Sequence, residues 1–162
     1  MKSKFKIFFI CLSLLCSSLY ANEQHINLNT IIDNTSKKDK QVVVFFHMSN
    51  CGYCERMSNQ TFQNKEIQNI LQKDFVVVDV NIDHKESIVF DTKRYSKKEF
   101  SNIMNVNFFP TVLFFDENYE VTYTVRGYRD NQKFKDILLF IKTKSYESMD
   151  FFDFKPQEIE KE

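Results

Sequence analysis

The chain has 162 residues, 43% of them hydrophobic, which suits one compact domain with modest extensions. Its 22 basic and 22 acidic residues cancel to a formal net charge of zero, so the composition carries no electrostatic footprint of a nucleic-acid binder. Phe is abundant at 18 residues, alongside many Lys, Asn and Ile, and this general bias carries no functional argument.

Residues 1–21 read as a secretory signal peptide. Lys2, Lys4 and Lys6 form a positive n-region, and the apolar run Ile7 to Leu19 is too short to span a bilayer. Small Ala21 stands before the expected cut, so the mature chain is expected to begin at Asn22. An uncleaved anchor is the competing reading; a lipoprotein cut at Cys16 is disfavoured by bulky Leu15. Cleavage removes three lysines and no acids, leaving 19 basic against 22 acidic residues. It also removes Cys11 and Cys16, so Cys51 and Cys54 remain as the single thiol pair. One close pair does not make a disulfide-stapled scaffold, and chemistry is the better explanation.

From Asn22 to Lys40 a weak helical pattern runs through Ile26, Leu28, Ile31 and Ile32. Gln41 to His47 (QVVVFFH) suits a strand buried on both faces. Helix-forming sequence follows from Gly52 to about Leu71, broken near Phe62-Gln63-Asn64. Phe75 to Ile82 (FVVVDVNI) reads as a second buried strand, and the polar stretch Asp83 to Lys98 leads into a helix ending near Asn105. Thr111 to Phe115 and Val121 to Val125 form two strands joined by an Asp116-Glu117-Asn118 turn, and Asn131 to Thr143 is an amphipathic helix. The order β-α-β-α-β-β-α implies an α/β domain over residues 22–144, a central mixed β-sheet with helices on both faces. Residues 145–162 read as an acidic C-terminal tail, largely disordered, although Phe151, Phe152 and Phe154 offer docking groups.

With two Gly and two Pro in the whole chain, their placement is informative. Gly52 lies between the cysteines, Pro110 opens the third strand, Gly127 closes the fourth, and Pro156 falls in the tail. The order strand, Cys-Gly-Tyr-Cys, helix, then Phe109-Pro110-Thr111 opening a strand and Val125-Arg126-Gly127 after it, resembles the thioredoxin superfamily over roughly residues 41–143. The extra residues from Val89-Phe90-Asp91 through Ser96-Lys97-Lys98-Glu99 to Phe109-Pro110-Thr111 resemble bacterial periplasmic thioredoxin-like proteins of the SoxW type.

The chemistry that follows is thiol–disulfide exchange. Cys51 at a helix N-terminus is the expected nucleophile, because unpaired N–H groups there lower a thiol pKa from about 8.5 into the ~3.5–7.5 range. Cys54, one turn on, is the expected resolving thiol. The resemblance implies that Pro110 is a cis-proline facing the cysteines, exposing the Phe109 backbone to pair with an extended substrate, and known relatives use this proline to keep metal ions off the dithiol. Tyr53 is expected to join that substrate surface. The sequence departs from the commonest thioredoxin pattern in three places. Asn50 replaces the Trp before the first Cys, Phe45 replaces a buried acid, and Asp79 stands where the acid's lysine partner is usual. Asp79 is either a proton relay beside Cys54 or an exposed acid on a strand edge; both readings stay open. His47 reads as a satisfied histidine at a strand end, and Glu55 and Arg56 as a solvated helix face.

The competing class is Cu(I) carriage on the same fold, from soft ligands Met48, Cys51, Cys54 and Met57 with His47. Helical spacing makes Met57 a core residue instead, and zinc lacks two further cysteines. A binding module without redox work would be expected to have lost a cysteine. The expected activity is therefore a periplasmic disulfide reductase without a cofactor beyond its own disulfide. Its expected partners are protein thiols and disulfides and a membrane thiol-electron carrier. Apocytochrome c or an oxidised periplasmic enzyme would suit as target, and the sequence does not choose between them.

Overall fold

The structure is a computed structural model that describes residues 25–156; the expected signal peptide, with Cys11 and Cys16, and the last six residues lie outside them. Valine and phenylalanine in unbroken succession make β2 (Gln41–His47), whose five central residues are all buried. It pairs in parallel with β3 (Phe75–Asn81), from Gln41 opposite Phe75 to His47 opposite Asn81. On its other side it pairs antiparallel with β6 (Thr111–Phe115), Phe46 opposite Thr111. β7 (Val121–Arg126) closes the four-stranded mixed sheet in the order β3-β2-β6-β7.

Alternate β2 side chains feed two cores, as strand geometry requires. Val43 and Phe45 face Met57, Ile67 and Leu71, together with Phe134, Ile137 and Ile141. These belong to α2 (Gly52–Arg56) with its π-helical continuation at Met57–Thr61, α3 (Lys65–Asp74), capped by Asn64, and α5 (Asn131–Lys142), capped by Asp130. The expected break between α2 and α3 falls at Phe62–Asn64. Val42, Val44 and Phe46 face the opposite core, with Leu28 and Ile32 of α1 (Leu28–Ser36) and Phe100 of α4 (Lys97–Ile103). Five helices thus cover both faces of a mixed sheet, the thioredoxin fold. No helix among the described residues is long and apolar enough to cross a membrane.

Three features differ from the sequence reading. β3 is an edge strand; Val78 and Val80 are buried on one face, but on the other only its ends, Phe75 and Asn81, are, and Val77 and Asp79 between them are exposed. The stretch after β3, read only as polar, holds a hairpin of β4 (Ser87–Phe90) and β5 (Lys93–Ser96). With the short β1 (His25–Asn27), parallel to β4, it forms a second sheet. Its turn residues Asp91 and Thr92 both adopt positive φ, 46° and 64°, as two-residue hairpin turns demand, but without the Gly that usually signals it. Buried Lys97 donates to Glu86 at 2.5 Å, anchoring α4 to the loop before the hairpin and holding the Glu86 carboxyl below its usual pKa.

The third difference is the tail. Phe151 and Phe154 pack on Phe140 of α5, with ring centroids 5.4 and 5.2 Å away, whereas Phe152 is 99% exposed. Two half-buried Phe rings contribute about 1 kcal/mol each at the usual burial coefficient. Truncation after Lys144 also removes Tyr146 from the Phe140 ring and is therefore expected to lower unfolding stability by about 2–3 kcal/mol, while Phe152→Ala stays within about 0.5 kcal/mol. Urea denaturation of the two variants checks both values.

Candidate active site

β2 delivers the chain to one edge of the sheet, and the site is built where it leaves. Asn50 turns the chain at φ 56°, and Cys51 then takes extended backbone as the N-cap of α2. The turn is pinned from β3: the Ser49 N–H donates to Asp83 Oδ2 at 2.7 Å, and Asn81 Nδ2 donates to Ser49 Oγ at 3.4 Å.

Cys51 and Cys54 form a disulfide with a Cα–Cα distance of 5.2 Å, inside the usual range. Cys51 is half-buried; Cys54, one turn deeper, is 1% exposed. The Cys54 N–H donates to Cys51 Sγ at 3.3 Å. Cys51 Sγ thus occupies the place of a helix-capping oxygen, facing N–H groups that stabilise negative charge. No Cβ at Gly52 would meet another atom within 4 Å, so the glycine between the cysteines answers no steric demand there.

Two further loops reach the same edge. The Phe109–Pro110 peptide bond is cis. Because Phe46 pairs with Thr111, Pro110 comes beside the end of β2 from which the cysteine turn departs. Pro110 is buried, Phe109 half-buried and Phe108 exposed. The Gly127 N–H donates to Pro110 O at 2.7 Å, so the loop after β7 is tied to the proline. Gly127 has φ 84°, and a Cβ there would lie 3.3 Å from Phe108 Cε1 and 3.8 Å from Arg129 Nη1.

Tyr53, 64% exposed between the cysteines, lies 6.2 Å ring to ring from Tyr128. The Arg56 guanidinium stacks 4.4 Å above the Tyr128 ring, a cation–π contact. Thr61 Oγ1, fully buried, donates to Arg129 O at 2.7 Å. Arg56 is therefore not only a solvated helix residue, and Tyr128 was missed. The signal available in the sequence was the aromatic and basic pair flanking Gly127.

Phe45 fills the place of the usual buried acid, with ring centroids 4.8 Å from Phe62 and 4.9 Å from His47. Asp79 holds His47 Nε2 at 2.9 and 3.0 Å and is 65% exposed at its side chain. Its partner is thus the histidine; no hydrogen bond joins it to either cysteine. Met57 is fully buried in the core with Phe45, while Met48 is exposed, so the soft ligands adjacent in sequence do not converge at the surface. Among the described residues there is no group of three or more His, Cys, Asp or Glu side chains placed to hold a metal ion.

This chain belongs to the thioredoxin-like family: residues 28–142 match its thioredoxin-like domain. No curated protein matches the chain. Among solved structures it is similar to a thioredoxin-fold protein from Helicobacter pylori, at 26% identity and TM-score 0.61 over 69% of this chain and 74% of that one. It is also similar to a thioredoxin from Thermus thermophilus, at 20% identity and TM-score 0.60, covering 75% and 88%. A third is the oxidised C-terminal domain of Neisseria meningitidis DsbD, at 17% identity and TM-score 0.52, covering 70% and 95%. The last two likenesses are of fold alone.

The two glycines of the site are expected to respond unequally to alanine. Gly127→Ala forces a left-handed residue and crowds Phe108, lowering stability by about 1–2 kcal/mol. Gly52→Ala has open space and a helical backbone, and is expected to stay within about 0.5 kcal/mol of the parent. Thermal unfolding of the two variants tests this; equal losses would contradict it.

Proposed function

We propose that the protein is an exported thiol–disulfide oxidoreductase working as a disulfide reductase through Cys51 and Cys54. The observation that carries this reading is the pair itself: half-buried Cys51, whose sulfur accepts the Cys54 N–H at the helix start, bonded to buried Cys54. In the reduced protein the Cys51 thiolate attacks one sulfur of a substrate disulfide and expels the other as a thiolate. Cys54 then loses its proton and attacks Cys51 Sγ, releasing the second substrate thiol. Two electrons leave the dithiol, and the Cys51–Cys54 disulfide remains.

Export rests on the sequence of residues 1–21, and it implies periplasmic residence. A reductant there needs its dithiol restored by a membrane thiol-electron carrier. Protein disulfides are the substrates, met by Tyr53, Phe109 and Pro110, and no cofactor beyond the dithiol is needed. The short Gly-Tyr segment supports a reductant or isomerase-like role over that of an oxidant. Asp79 enters as the partner of His47, four residues before Cys51.

With dithiothreitol as reductant, the protein is expected to accelerate insulin reduction, and Cys51→Ser to abolish the acceleration. Cys54→Ser, reduced and then freed of dithiothreitol, is expected to accumulate a mixed disulfide with insulin, seen by mass spectrometry. Activity retained in Cys51→Ser and lost in Cys54→Ser would reverse the assigned roles. Asp79→Asn is expected to change the dependence of the exchange rate on pH between about 6 and 9; an unchanged profile would remove Asp79 from the chemistry.

A further inference from the structure

The chain has four arginines, and three of them, Arg56, Arg126 and Arg129, lie on the segments that meet at the cysteine pair. Arg56 ends α2, with its guanidinium held flat on Tyr128. Arg129 donates through Nη1 to Tyr128 O at 2.9 Å. That same nitrogen and the Phe108 ring both lie within 4 Å of the Cβ position of Gly127, whose N–H is bonded to Pro110 O. Arg126 ends β7 opposite Thr111, the residue after Pro110, and is exposed. Among the described residues none of the three is ion-paired with a carboxylate. Their acidic neighbours in sequence are Glu55 and Asp130, and the Asp130 carboxylate caps α5 by accepting the Lys133 N–H.

Each of these features has a chemical consequence. The Arg56 Nε–H donates to Gln60 Oε1 at 3.1 Å, and with the guanidinium over Tyr128 its two Nη groups are left to donate. Exposed Phe108 and Tyr53 add apolar surface between the cationic groups. The lysines expected to be removed with the signal leave a chain with more acids than bases, so this rim is positive against an acidic body. An arginine and aromatic rim of this kind attracts carboxylates and repels ammonium groups.

We infer that the protein selects partners that present their reacting cysteine within an acidic segment, with Arg56 and Arg129 as the specificity-determining residues. The inference rests on the exchange chemistry proposed above. Carboxylates flanking the substrate sulfur accept from the guanidinium edges while Cys51 attacks that disulfide. A lysine-rich segment meets like charge at the same positions.

The test uses two synthetic peptides that carry one central Cys as a mixed disulfide with 5-thio-2-nitrobenzoate, flanked by Glu in one and Lys in the other. The protein is first reduced with dithiothreitol and freed of it. Attack by Cys51 then releases coloured thionitrobenzoate, and Cys54 releases the peptide thiol. At about 20 mM salt the Glu peptide is expected to react about five-fold faster, and the ratio to fall towards one at about 500 mM salt. Arg56→Gln is expected to reduce the ratio at least about two-fold, and Arg56→Lys to retain most of it. Adding Arg129→Gln to Arg56→Gln is expected to remove most of the remaining ratio. A circular-dichroism melt confirms that each variant is folded. Equal rates for the two peptides at low salt would overturn the inference and leave exchange standing, as would a ratio indifferent to the arginine variants. No release from either peptide would overturn the exchange reading and this inference with it.

Discussion

The burial of β2 on both faces is the constraint from which the rest of the structure follows. Its side chains alternate between two cores, and its backbone is paired on both sides, so neither its register nor its end point is free to shift. A strand fixed in this way delivers Cys51 to one place at the sheet edge. It also brings Pro110 there, because β6 is held in register against it. The loop after β7 follows through the bond from Gly127 to Pro110. Three segments remote in sequence are thus positioned by one strand, and the bonds from Gly127 to Pro110 and from Thr61 to Arg129 tie them to one another.

Within that frame, the polar groups are distributed unlike those of ordinary thioredoxin. The position under the helix that usually carries an acid is apolar, filled by Phe45 against Phe62 and His47. The ionisable pair has moved to the sheet edge, where Asp79 and His47 meet in partial contact with solvent. Positive charge has gathered on the other side of the cysteines, on Arg56, Arg126 and Arg129. The buried acid of ordinary thioredoxin thus has no counterpart under this helix.

Much of this was legible in the sequence, for identifiable reasons. QVVVFFH has no alternation and no turn residue, so it reads as a doubly buried strand. Cys-Gly-Tyr-Cys, Pro110 and Gly127 stand out because the chain holds so few residues of these kinds. What was not legible depended on three-dimensional context. FVVVDVNI is as apolar as a central strand, yet it lies at the edge, and only the exposed Val77 and Asp79 distinguish it. The Asp91-Thr92 turn takes left-handed backbone without glycine, so its hairpin gave no turn signal. The docking of Phe151 and Phe154 needed the surface of Phe140, which no local pattern reveals. Arg56 was placed on a solvated face because its partner Tyr128 lies far along the chain.

The central claim is that Cys51 and Cys54 form a working, reducing couple. Equilibrating the protein in thiol–disulfide buffers of graded poise, and counting free thiols at each, measures that couple directly. A two-electron transition involving both cysteines is expected, with a reduction potential in the reductant range, nearer about −270 mV than about −120 mV. A value near about −120 mV would contradict the assignment as a reductant.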